Sequence, residues 1–205
     1  MSLLSIIFVL GLSTFSAFAE VSVESYVVGR NNRRIIQALV TELEQKHGIR
    51  ANVAYGAEIE ATIDKISINE KDLDKFWEFA KTPKDKEAFI RFIIAHEYFH
   101  VALGHPDLAD GRKVAGVKDM VFMEDRRNFE RQVNHLATRE VIAAGLPIDV
   151  IRDFFKSDLY PVNDHYPPAE EQLKVVESAL LPSVDESIFN EGIDCRPLLR
   201  RLAGF

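Results

Sequence analysis

Residues 84–103, KDKEAFIRFIIAHEYFHVAL, place Phe89, Ile90, Phe92, Ile93, Ile94, Phe99 and Leu103 around most of the circumference of a helix. A helix that is apolar on nearly every side is stable in water only where other elements cover it, so this segment must sit at the centre of the fold. Gly104 is a natural stop for it, reinforced by His105-Pro106. Set into this apolar frame are three ionisable side chains, His96, Glu97 and His100. A buried polar group without a partner costs about 1–3 kcal/mol. The central helix therefore has to supply these groups with a partner.

The partner that suits them is a metal ion. His96-Glu97-Tyr98-Phe99-His100 has the HExxH spacing, which puts both imidazoles on one helical face, one turn apart, where they can share a tetrahedral zinc. Glu97 lies about 60° around the helix from His100, close enough to act on a metal-activated water as general base without being a ligand itself. A catalytic zinc needs a third protein ligand and an open position. The extended pattern HExxHxxGxxH is absent, because Leu103 and Pro106 stand where its glycine and third ligand belong, and His105 is one residue out of register. A glutamate from a downstream helix is the other solution. The helix expected over Met120 to Ala144 offers Glu124, Glu130 and Glu140. Glu130 is the best placed, on a stripe with Val133, Asn134 and Leu136 or Ala137, and Asn134 one turn later can accept a hydrogen bond from a ligating imidazole.

Around this centre the pattern is mostly helical. Ile35, Ile36, Leu39, Val40 and Leu43 recur at helical spacing between Asn31 and His47, and Gly48 ends that run. Residues 50–69 alternate in pieces, with Ile63, Ile66 and Ile68 among polar neighbours, which suits one or two half-buried strands. Helices are expected over Leu73 to Ala80, Asp149 to Phe155 and Ala169 to Leu181, with a loop from Asp107 to Lys118 and a turn-rich link from Tyr160 to Pro168. The sum is an α+β domain with a small sheet near its amino end. One domain is also what 205 residues with 47% hydrophobic content predict. The single Cys195 excludes an internal disulfide framework and a cysteine-based zinc cluster. A net charge of −7, with no basic run beyond adjacent pairs, gives no electrostatic footprint for nucleic acid.

Charge is absent from residues 1–19, MSLLSIIFVLGLSTFSAFA, and frequent from Glu20 onward. The apolar stretch closing in Ala17-Phe18-Ala19 reads as a signal peptide cleaved after Ala19, which predicts a single domain over 20–205 that is secreted or periplasmic. No membrane span is expected after cleavage.

Two further segments carry a family resemblance. Arg127-Asn-Phe-Glu130-Arg-Gln-Val-Asn134 resembles the R-x-x-E-x-x-x-D segment of the gluzincin zinc metallopeptidases related to HtpX and the CAAX prenyl protease. Asp164-His165-Tyr166-Pro167-Pro168-Ala-Glu-Glu-Gln172 resembles their T-H-P-x-x-x-x-R segment. With HExxH these make three motifs in the family's order between Phe89 and Leu180. Asn134 replaces the family's aspartate, Gln172 its arginine, and Tyr166 is inserted between His and Pro. The resemblance implies a zincin-like fold, Zn²⁺ held by His96, His100 and Glu130, Asn134 orienting a ligand, and Glu97 as the catalytic base. His165 then stands as a catalytic group donating to the developing oxyanion, with Tyr160 or Tyr166 as alternatives. The implied substrate is a peptide or protein that lies along an edge strand, for which Ala61 to Ile68 is the expected segment. The competing expectation is a non-catalytic zinc-binding, chaperone-like or partner-binding protein on the same fold, against which the presence of Glu97 argues.

Overall fold

The computed structural model describes residues 32–105, 119–161 and 166–181. In chain order they form α1 (Asn32–His47), β1 (Asn52–Tyr55), β2 (Glu60–Ala61), β3 (Lys65–Ile68), α2 (Glu70–Phe79), α3 (Pro83–Leu103), α4 (Asp119–Ala143), α5 (Asp149–Phe155) and α6 (Ala169–Ser178). The described chain is mostly helical with one small sheet near the amino end.

Local chemistry fixes both ends of α3. Thr82 accepts a hydrogen bond from the Asp85 amide at 3.1 Å while the Asp85 carboxylate accepts one from the Thr82 amide at 3.1 Å, and Pro83 occupies the first turn, where its missing N–H is not needed. At the other end Gly104 takes the left-handed conformation, φ 68°, that costs a side-chain-bearing residue about 1–2 kcal/mol. Between these caps the helix is covered as its composition requires. Helices α1, α2, α4 and α5 and strands β2 and β3 all pack on it. Ile94, Ala95, Tyr98 and Phe99 have no solvent exposure. Phe89 joins Phe76, Phe79 and Phe154 in an aromatic cluster that seats α2 and α5 against its first half. Tyr98 donates to the carbonyls of Leu43 (3.2 Å) and Ile49 (2.8 Å), tying the end of α1 to the middle of α3.

The sheet has the order β1-β3-β2, with β1 parallel and β2 antiparallel to β3. Three short strands thus replace the expected one or two. This corrects the edge-strand expectation: the segment from Ala61 to Ile68 is split, and β3 is the inner strand with both its edges paired. Its Ile66 and Ile68 are fully buried, so hydrophobicity here marks the centre of the sheet, and the edge nearest α3 is β2. Helix α2 begins one turn earlier than Leu73 because Asn69 caps it, accepting from the Lys71 amide at 3.0 Å. Helix α6 stops at Ser178 instead of Leu181. No described helix is long and apolar enough to cross a membrane. The signal-peptide, Asp107–Lys118 and Cys195 expectations fall outside the described residues.

Candidate metal centre

The two imidazoles lie one turn apart in the second half of α3, where α4 crosses it, and Glu130 enters from α4 opposite them. The His96 and His100 Nε2 atoms are 3.2 Å apart, and the Glu130 carboxylate reaches His96 Nε2 at 3.4 Å and His100 Nε2 at 3.5 Å. One ligand atom from each residue falls within 4.8 Å of the others, and no other group of this kind occurs among the described residues. His96, His100 and Glu130 are thus a set that could hold a metal ion. The donor set fits: two imidazole nitrogens and a carboxylate oxygen suit zinc and its neighbours. Glu130 Oε2 is buried and has no hydrogen-bond partner, which is the state of a donor atom aimed at a cation.

Each imidazole is held from behind. Asn134, one turn after Glu130 on α4, has its Oδ1 2.7 Å from His96 Nδ1, so that nitrogen carries the proton, donates it to the amide oxygen, and leaves the Nε2 lone pair facing Glu130. The counterpart on His100 is His105. Gly104 turns the chain back over the last turn of α3 and brings His105 Nδ1 to 3.0 Å from His100 Nδ1. His105 is buried and lies flat on Phe129 of α4, with ring centroids 4.3 Å apart and planes 13° from parallel. The sequence reading missed this contact because it tested His105 only as a metal ligand. Its distance from His100, five residues across a glycine stop, was the available signal.

Burial and mutual charge set the protonation of the group. Burial is the largest effect on His96 and lowers its pKa to about 4. It would lower His100 too, but the charge and hydrogen bond of Glu130 outweigh it, and the His100 pKa is raised. Burial opposes ionisation of Glu130, yet the two imidazoles, His100 foremost, hold it below the ordinary carboxylate value. Glu97 is a different carboxyl. It is buried 3.9 Å from His96 Nε2, and burial pushes its pKa up to about 7.

These groups line a cavity of about 190 Å³ together with Ile59, Glu60 and Ala61 on one side and Arg126, Phe129 and Tyr166 on the other. Arg126 sits one turn before Glu130 on α4 and was not singled out in the sequence. The i, i+4 spacing to Glu130 is what could have exposed it. Burial raises the Tyr166 pKa to about 12, which keeps its hydroxyl a donor at neutral pH. Tyr160 faces elsewhere, donating to the Pro167 carbonyl at 2.7 Å. Gln172 is fully buried next to Tyr160. His165 lies outside the described residues. The other two glutamates considered for the third ligand are engaged away from the cavity. Glu124 pairs with Arg131 at 2.6 Å, and Glu140 binds Lys46 at 2.9 Å and His47 at 3.0 Å where α1 meets α4.

Comparison of the chain with protein-family models, curated proteins and solved structures finds no match.

Proposed function

We propose that the chain is a zinc-dependent metalloendopeptidase of the HtpX-like gluzincin type, with a zincin-like fold, acting on peptides or proteins outside the cytoplasm. The observation that carries this reading is the convergence of His96, His100 and Glu130 on one point, with the unliganded carboxyl of Glu97 buried beside it at the wall of a cleft. When bound there, zinc supplies a Lewis acid that polarises a scissile carbonyl and makes water acidic enough to react near neutral pH.

The chain's own residues do the rest. Glu97 accepts the proton of the attacking water and returns it to the leaving amine, a task suited to a buried carboxyl that stands beside the metal-binding group without belonging to it. Tyr166 and Arg126, both lining the cavity, are the donors placed to meet negative charge developing on the substrate oxygen. Asn134 holds His96 in the tautomer that presents Nε2. Among the described residues β2 pairs only with β3, and Ile59, Glu60 and Ala61 line the cavity, so an extended peptide can add to that edge and bring its backbone past the metal ligands. Export is supported by the uncharged segment 1–19 with its Ala17-Phe18-Ala19 ending.

The full chain, purified with its metal, is expected to carry one zinc per molecule and to cleave unstructured peptides, with chelation abolishing cleavage. Absence of bound zinc would overturn the metal assignment. Bound zinc with no cleavage of a broad peptide library would favour the non-catalytic zinc-binding protein.

A further inference from the structure

We propose that His105 is a positioning residue for the metal centre, fixing His100 in the tautomer that can bind metal, as Asn134 does for His96. The inference rests on the metal reading above and deepens it. Two ring nitrogens 3.0 Å apart, His100 Nδ1 and His105 Nδ1, share one proton between them, so one must donate and the other accept. If His100 offers its Nε2 lone pair to a metal, its own proton is on Nδ1, and His105 Nδ1 has to be the acceptor. The His105 proton is then on Nε2.

The surroundings of His105 fit that assignment. Its ring cannot turn freely, because Gly104 directs it back over α3 and Phe129 stacks on its face. The side chain of Gln132 on α4 interacts with His105. His105 Nε2 and Gln132 Oε1 are both buried with no other partner. A buried N–H and a buried amide oxygen on interacting side chains are a donor and an acceptor suited to one another. The result is a chain of polar groups, His100 to His105 to Gln132, parallel to the single step from His96 to Asn134, and both run to α4. Helix α4 therefore supplies the third ligand and supports both imidazoles.

The test compares zinc affinity, by chelator competition, for the wild-type full chain, Glu130→Gln, His105→Phe and His105→Asn. Phenylalanine keeps a ring on Phe129 and removes both ring nitrogens, the Nδ1 acceptor with the Nε2 donor, whereas the asparagine Oδ1 occupies the place of Nδ1 and restores the acceptor alone. Loss of such a support weakens metal binding about 10–100-fold, so His105→Phe is expected to fall in that range and His105→Asn to stay within about threefold of wild type. Long-range ¹⁵N–¹H spectra of the histidine rings in the zinc-loaded wild type should show His100 protonated at Nδ1 and His105 at Nε2. Those spectra decide alone if His105→Phe does not fold. Wild-type affinity in His105→Phe, equal loss in His105→Asn, or a proton on His105 Nδ1 would overturn the proposal while leaving the metal reading intact. A wild type that binds zinc no better than Glu130→Gln would overturn the metal reading and this proposal with it.

Discussion

Saturating the centre with zinc should raise the unfolding temperature of the metal-free protein by about 8–16 °C, and Glu130→Gln should remove most of that rise. The reasoning starts from the geometry. Without a cation the folded chain holds the Glu130 carboxylate buried against two imidazoles with Oε2 unpartnered, an arrangement that only the native state presents to a metal. A ligand that binds only the native state at 1,000 times its Kd stabilises it by about 4.1 kcal/mol. For a domain of this length each kcal/mol corresponds to about 2–4 °C. Glu130→Gln replaces the anionic ligand with an amide. If affinity falls about 100-fold, the same zinc concentration is only tenfold above Kd, and the stabilisation drops to about 1.4 kcal/mol, or about 3–6 °C. The shift should also shrink on acidification, because His100 has a raised pKa and must lose its proton to bind. The assay is a thermal melt of the chelator-stripped full chain with zinc titrated in, at neutral pH and again near pH 5. Equal shifts for the wild type and Glu130→Gln, or a shift that grows toward acid, would refute the assigned ligand set.

Two further outcomes concern the frame that carries the site. Glu140 is buried where it binds Lys46 and His47, and those hydrogen bonds hold its pKa below the ordinary value against the opposing effect of burial. A depressed carboxylate pKa means stability that is present above the unfolded value and is lost as pH falls through the folded one. Glu140→Gln should therefore cost roughly 3 kcal/mol at neutral pH, the low end for breaking a buried pair because Lys46 is half in solvent, and should flatten the acid limb of a stability-against-pH curve from urea melts. An unchanged acid limb would show that other carboxylates set it. Gly104→Ala should cost about 1–2 kcal/mol for a side chain at φ 68°, measured by the same melts. Unchanged stability would mean the turn relaxes without strain.

How much of this was legible in the sequence follows from which interactions are local. The central helix was readable to within a residue, because its apolar circumference and its Gly104 stop lie within the segment itself, as do the Thr82-Pro83 cap and start that the structure adds. The choice of Glu130 over Glu124 and Glu140 was readable as a stripe, since helical phase decides which glutamate faces inward. Asn134 followed from the same phase, one turn further on. The sheet was harder. β2 is two residues long, too short to alternate, and the alternation of β3, Lys65-Ile66-Ser67-Ile68, marks an apolar face without giving the strand's place in a sheet whose order depends on distant pairing. His105 and Arg126 were not read as site residues for another reason. One lies beyond a helix stop, where periodicity no longer tracks direction, and the other is a charged residue whose role depends on the cavity that forms beside it.

The central claim is that Glu97, beside a metal held by His96, His100 and Glu130, moves the proton in peptide-bond hydrolysis. Its most direct test is the rate of peptide cleavage by Glu97→Gln beside wild type, with zinc content measured in both. The account predicts one zinc per chain in each protein and loss of at least about 100-fold in kcat for the variant, the scale of a general base removed from its water. Equal cleavage by a fully metallated Glu97→Gln would contradict it.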